Sequence, residues 1–122
     1  MMNVTMYWYP KCGTCRKAKR WLEERGYEVK TIHIVEQTPD LQTLQQFVKM
    51  SDLETKKWFN VSGNVYKKLN LKDQLPNMNE QEKLELLASD GMLIKRPIVT
   101  DGKRITVGFK EEQFAEVWGK AL

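Results

Sequence analysis

The chain has 122 residues, of which 41% are hydrophobic and 30% charged, so it is long enough to bury a core and too apolar to be disordered. Its 20 basic residues against 16 acidic ones leave a net charge of only +4, spread without long runs of one sign. That balance describes a solvated surface, and direct nucleic-acid binding is not expected. No apolar run approaches the roughly 18 residues that span a bilayer, and Met1 to Tyr9 lacks the basic-then-apolar order of a leader. These features point to a cytoplasmic protein with no membrane association, in a compartment that keeps thiols reduced.

Val4 to Tyr9 (VTMYWY) is β-branched and aromatic, ends at Pro10, and predicts a strand. Arg16 to Arg25 predicts a helix: Cys15, Ala18 and Leu22 share one face with Trp21 beside them, and Gly26 supplies a stop. Val29 to Ile34 alternates as a second strand, so the opening is β-α-β with a parallel pair and a right-handed crossover. A mostly helical middle follows. Thr38 and Pro39 read as N-cap and first helical residue ahead of the stripe Leu41, Leu44, Phe47 and Val48. Short helices are expected at Thr55 to Phe59 and Val65 to Leu69, near Gly63. Asn79 with Glu82 forms a capping box in front of Leu84, Leu87 and Ala88. Pro97 to Thr100 and Ile105 to Val107 flank the hairpin signal Asp101-Gly102. A last helix runs from about Glu111 to Lys120 with Phe114, Val117 and Trp118 on its apolar side. The order is β-α-β, helical insertion (about residues 38–90), β-β-α: one α/β domain over residues 1–122, a thioredoxin-like order with helices inserted in the middle.

The two cysteines, Cys12 and Cys15, stand three positions apart. A bridge closing so short a loop removes little unfolded-chain entropy, so a structural staple explains nothing. Placed where a strand turns into a helix, Cys12 faces unpaired backbone N–H groups and the positive end of the helix dipole, with Lys11, Arg16 and Lys17 nearby. Both effects favour the thiolate. Cys12 is then the attacking sulfur and Cys15, in the first turn, the resolving one. The competing reading is half of a zinc site, but His33 alone does not complete a tetrahedral set, and His33 sits between Ile32 and Ile34 as an ordinary strand residue. Pro97 is either a strand-edge proline or a cis-proline beside the cysteine loop, with Arg96 bringing a cation towards Cys12.

The stretch Tyr9-Pro10-Lys11-Cys12-Gly13-Thr14-Cys15-Arg16-Lys17-Ala18 resembles the active loop of the Spx/ArsC-like family. Tyr66 to Leu71, Gly91 to Ile98 and Val107-Gly108-Phe109 match the family's later patterns in order, so the resemblance covers about Thr5 to Trp118. It implies a thioredoxin-like sheet with an inserted helical subdomain (ArsC-like) and a cis-proline at Pro97. It also implies catalytic roles for Cys12, Cys15 and Arg96, with Lys11, Gly13, Thr14, Arg16 and Pro97 around the substrate. The family holds arsenate reductases, related thiol reductases, and Spx- and MgsR-type regulators that bind the C-terminal domain of the RNA polymerase α chain. Against the reductase pattern, Asn60 stands where a second arginine belongs and Phe109 and Lys110 where a third does, which weakens bidentate oxyanion binding and argues against arsenate itself. Against the regulator pattern, Glu54 stands where a glycine lets the polymerase approach.

The sequence therefore predicts a thiol–disulfide oxidoreductase acting on an unidentified substrate through Cys12 and Cys15. No bound cofactor or metal is implied; thioredoxin, glutaredoxin or a low-molecular-weight thiol would be the external reductant. The alternative is a redox-sensing regulator of RNA polymerase that uses the same pair as a switch.

Overall fold

Strand β1 (Met2–Trp8) is an inner strand of the sheet, with β2 (Tyr27–His33) parallel to it in the register Met2 to Tyr27 through Trp8 to His33. The fold comes from a computed structural model that describes residues 2–119. On the other side of β1, β3 (Ile98–Thr100) runs antiparallel with Tyr7 opposite Ile98, and β4 (Ile105–Val107) pairs antiparallel with β3. The sheet order is β2-β1-β3-β4. Helix α1 (Gly13–Glu24) links the parallel pair and α6 (Glu111–Trp118) closes the chain.

Alternation along β1 decides which face is covered. Val4 and Met6 are buried in one apolar cluster with Val99 from β3, with Ala18, Trp21 and Leu22 from α1, and with Phe114 and Trp118 from α6. Tyr27, on β2, joins this cluster and donates its hydroxyl to the Trp118 carbonyl at 2.7 Å. Trp118 in turn gives its indole N–H to the buried Thr106 hydroxyl at 3.0 Å, and Arg104 caps the Val117 carbonyl at 2.7 Å. The last carbonyls of a helix lack intrahelical partners, so these bonds fasten the end of α6 to β2, β4 and the hairpin.

The sheet, α1 and α6 form one compact unit, built from residues up to His33 and from Arg96 onward; residues Ile34–Lys95 form a second. The second unit contains α2 (Leu41–Ser51), α3 (Asn64–Lys68), α4 (Leu71–Gln74) and α5 (Glu80–Ser89), with 3₁₀ turns at Thr55–Trp58, Leu75–Asn77 and Gly91–Leu93. Leu44, Val48, Trp58, Phe59, Leu84 and Leu87 are buried in it, and α2 packs on α5. The capping box at Asn79 and Glu82 forms, with bonds of 2.8 and 2.9 Å.

Several expectations shift: β2 spans Tyr27–His33 in place of Val29 to Ile34, β3 begins at Ile98 after Pro97, and Pro39 precedes the N-cap of α2. β1 starts at Met2 and ends before Tyr9, and α1 starts at Gly13, so Cys15 lies inside it. The N-cap of α2 is Asp40, whose carboxylate accepts from Thr43 N–H at 2.8 Å; Thr38 instead donates its hydroxyl back to the Ile34 carbonyl at 2.7 Å. A short polar side chain can close either a forward cap or a backward turn, and here the backward turn prevails. Helix α4 has no counterpart among the expected elements, because four residues do not display a period. Lys120, expected in the last helix, lies outside the described residues.

Gly91 lies where two segments of the second unit approach closely. A Cβ built there would sit 2.1 Å from the Ile34 carbonyl oxygen and 2.9 Å from Thr38 Oγ1. Backbone cannot yield as a flexible side chain does, so Gly91→Ala is expected to destabilise the protein by about 1–3 kcal/mol, read as a lower denaturant midpoint at unchanged slope.

Candidate active site

The chemistry-bearing residues converge through strand register. β1 and β3 are antiparallel with Tyr7 opposite Ile98, so the loop leaving β1 at Tyr9 runs beside the segment entering β3 at Arg96. The Arg96 guanidinium carbon lies 5.2 Å from the centre of the Tyr9 ring, a cation–π distance. The Arg96–Pro97 bond is cis, and the Pro97 carbonyl accepts from Gly108 N–H at 2.9 Å.

Cys12 is the N-cap of α1, with extended backbone (φ −89°, ψ 115°) and no side chain capping the helix. Its own N–H goes to the Tyr9 carbonyl at 2.9 Å and its carbonyl accepts from Arg16 N–H at 3.2 Å. Both cysteines are free thiols, Cys12 half-buried and Cys15 buried. Burial alone would raise the Cys12 thiol. The Cys15 N–H and thiol and the Arg96 guanidinium, all directed at the Cys12 sulfur, outweigh burial and hold it below its ordinary value. Cys15 moves the other way. Burial pushes it up from 9.0 to about 12, the Cys12 sulfur adds to the rise, and the Tyr9 backbone and Arg96 offset only part of it.

Arg96 carries a further feature. Its Nε and Nη1 atoms are buried and bond no group among the described residues. Buried guanidinium donors without acceptors are costly, on the order of 1–3 kcal/mol each.

The other expected site residues divide. Lys11, Gly13 and Thr14 are exposed around Cys12. Arg16 donates Nη1 to the Pro10 carbonyl at 2.8 Å, which braces the loop and leaves Arg96 as the arginine that acts on the Cys12 sulfur. His33 packs edge-on against the Tyr9 ring at 5.6 Å, and no group of three metal-binding side chains occurs among the described residues. Phe109 is half-buried against the core, 4.7 Å edge-to-face on Phe114, and Lys110 is the exposed N-cap position of α6. In the second unit, Glu54 is the exposed N-cap residue of the Thr55–Trp58 turn, 3.5 Å from Lys56, and Asn60 is half-buried with its N–H on the Leu93 carbonyl. Tyr9 is the site residue that sequence reasoning misses. Its only signal is an aromatic ring placed just before the cysteine loop.

Comparison with known proteins gives a consistent result. The ArsC family model matches residues 7–117. The uncharacterized protein YusI of Bacillus subtilis strain 168 is 62% identical over 117 residues, covering 96% of this chain and 99% of YusI. The global transcriptional regulator Spx of Listeria innocua is 32% identical over 110 residues, covering 90% of this chain and 82% of Spx. An arsenate reductase from Vibrio cholerae superposes with a TM-score of 0.84 at 28% identity, covering 95% of this chain and 98% of that one.

Proposed function

For a chain that belongs to the ArsC family, with its α/β, thioredoxin-like fold, we propose a thiol–disulfide oxidoreductase in which Cys12 attacks and Cys15 resolves. The observation that carries this reading is the placement of two neighbouring free thiols, Cys12 half-buried at the N-cap of α1 beside Arg96 and Cys15 buried in the first turn behind it; that placement lowers Cys12 and raises Cys15.

The steps follow from that placement. The Cys12 thiolate attacks one sulfur of a substrate disulfide; a Cys12–substrate disulfide forms, and the other substrate sulfur leaves as a thiolate stabilised by Arg96 and then takes a proton. Cys12 is now neutral, which removes one of the causes that raise Cys15. Cys15 gives up its proton, attacks the Cys12 sulfur and expels the second substrate thiolate, which receives that proton. The substrate disulfide gains two electrons and Cys12 and Cys15 become the disulfide. Two external thiol equivalents, from thioredoxin, glutaredoxin or a low-molecular-weight thiol, return the pair to its reduced state. The unpartnered Nε and Nη1 of Arg96 suit an anionic group on the substrate or in the transition state.

Alkylation with iodoacetamide tests the assignment. A thiol with a pKa of about 12 is ionised to only about one part in 10⁵ at pH 7, so Cys12 is expected to be modified at least about 100-fold faster than buried Cys15. Equal rates, or a faster Cys15, would reverse the roles. Equilibration against glutathione and thioredoxin buffers adds the second readout. A potential near roughly −270 mV with rapid turnover by thioredoxin supports a cycling reductase.

The similarity to Spx supports a second reading, a redox-sensing regulator that binds the C-terminal domain of the RNA polymerase α chain. The exposed, charged Glu54 weighs against it, because the regulator pattern has a glycine at that position, where a side chain would hinder close backbone contact. An oxidising, slowly cycling pair together with measurable binding of the polymerase domain would favour the regulator.

A further inference from the structure

The second compact unit holds no cysteine, yet it carries an open pocket of about 610 Å³. That volume lies in the range of small-molecule sites, roughly 300–1,000 Å³. Lys56 and Lys57 reach it from the Thr55–Trp58 turn, Lys72 from α4, Lys83 from α5, and Lys95 from the segment that follows the Gly91–Leu93 turn. Five lysines therefore line the pocket from four separate segments, and among the described residues the acidic side chain that lines it is Glu54, 3.5 Å from Lys56.

Lys57, Lys72, Lys83 and Lys95 make no side-chain hydrogen bond or ion pair among the described residues. On an ordinary solvated surface, cations are interspersed with acids, as Lys19 is with Glu23 on α1 at 2.8 Å. Here several lysines border one concave surface with little acid among them, so the local field is positive and draws anions. Between them the wall mixes apolar side chains with Asn60 and Ser62. Tyr66 is half-buried, Pro76 is exposed, and Val61 leaves 59% of its surface open. A cationic rim over an aromatic and aliphatic wall suits a ligand with several negative charges at one end and a flat ring at the other. Lysine holds phosphate as a mobile point charge, with no need for the planar match that arginine makes to carboxylates.

We propose that the cavity bounded by Lys57, Lys72, Lys83 and Lys95 is a binding site for a small phosphorylated ligand of the nucleoside diphosphate class. The phosphates lie among the ammonium groups and the base lies against Tyr66 and Pro76. This site is separate in sequence from the cysteine pair, and its test does not depend on the redox reading.

The full chain is titrated calorimetrically at low salt with ADP, with inorganic pyrophosphate and with adenosine. ADP is expected to bind saturably at one site, pyrophosphate more weakly and adenosine weakest. Lys72→Gln combined with Lys83→Gln should weaken ADP at least about tenfold, whereas Lys30→Gln with Lys103→Gln, exposed lysines of the other unit, should leave it unchanged. Tyr66→Ala should weaken ADP severalfold and leave pyrophosphate unaffected. The proposal fails if ADP shows no saturable heat at millimolar concentration, or if the control pair costs as much as the cavity pair. It also fails if pyrophosphate binds as tightly as ADP and Tyr66→Ala changes neither.

Discussion

Arg96→Met is expected to raise thermal stability while slowing Cys12. Methionine fills much of the arginine's length, and it removes two buried donors, Nε and Nη1, that bond nothing among the described residues. The substitution forfeits the contact with the Tyr9 ring at 5.2 Å, worth about 0.5–1 kcal/mol. The balance favours methionine by about 1 kcal/mol, or a Tm higher by roughly 3–5 °C, measured at low pH where the Cys12 thiol is neutral. The same change removes the positive charge that favours the Cys12 thiolate, so the alkylation profile of Cys12 moves to higher pH. Its rate at pH 7 falls by roughly 3- to 10-fold, since the loss of thiolate is partly offset by the greater nucleophilicity of a more basic sulfur. Arg96→Lys should restore much of the thiolate and little of any bidentate anion binding. A variant that loses stability with an unchanged alkylation profile would make Arg96 a packing residue.

Cys15→Ala should stop turnover at the first covalent step. Well-oriented internal attack corresponds to effective concentrations from about 10⁵ M, and an external thiol at millimolar concentration cannot substitute for it. A loss of more than about 10³-fold in turnover is expected, with a Cys12–substrate mixed disulfide accumulating and visible by intact mass. The same variant has a signature in stability. Cys15 ionises at about 12 in the folded protein and near 9.0 when unfolded. Between those values the unfolded chain has lost the proton that the folded chain still holds, so stability falls as pH rises, by about 1.4 kcal/mol per pH unit from this group. Below 9.0 both states keep the proton and this contribution is fully present. Cys12, lowered in the folded state, is ionised in both states above 9.0 and adds no slope there. Chemical denaturation of wild type and Cys15→Ala from pH 9 to pH 11 isolates the difference, and parallel curves would show that burial does not hold the Cys15 proton.

Much of this is legible locally. The spacing of Cys15, Ala18, Trp21 and Leu22 marks the buried face of α1, and Asn79 with Glu82 marks the start of α5, because both patterns repeat within a few residues. The opposing strand periods on either side of Asp101-Gly102 mark the hairpin, where the Asp101 carboxylate accepts from the Lys103 and Arg104 N–H groups. What acts on Cys12 is less legible. Lys11, Arg16 and Lys17 stand next to it in sequence, yet Arg16 is turned to the Pro10 carbonyl and the cation at the sulfur comes from Arg96. That partner is expected from the family pattern; its geometry depends on the β1–β3 register, and no local period encodes a long-range pairing. The competition at Thr38 shows the same gap at smaller scale, since a forward and a backward partner are equally near in sequence and the fold chooses between them.

The register that brings Arg96 to Cys12 also sets an order in time. At synthesis rates of about 5–20 residues per second, Arg96 is made several seconds after the cysteine loop, because the whole of Ile34–Lys95 is translated in between. During that interval the nascent Cys12 has neither the Arg96 guanidinium nor β3 beside it. The Arg96 share of Cys12 activation arrives only with β3. A chain that stops short of β3 carries a Cys12 without that share, while its Cys15 has lost the burial that holds its proton in the folded protein.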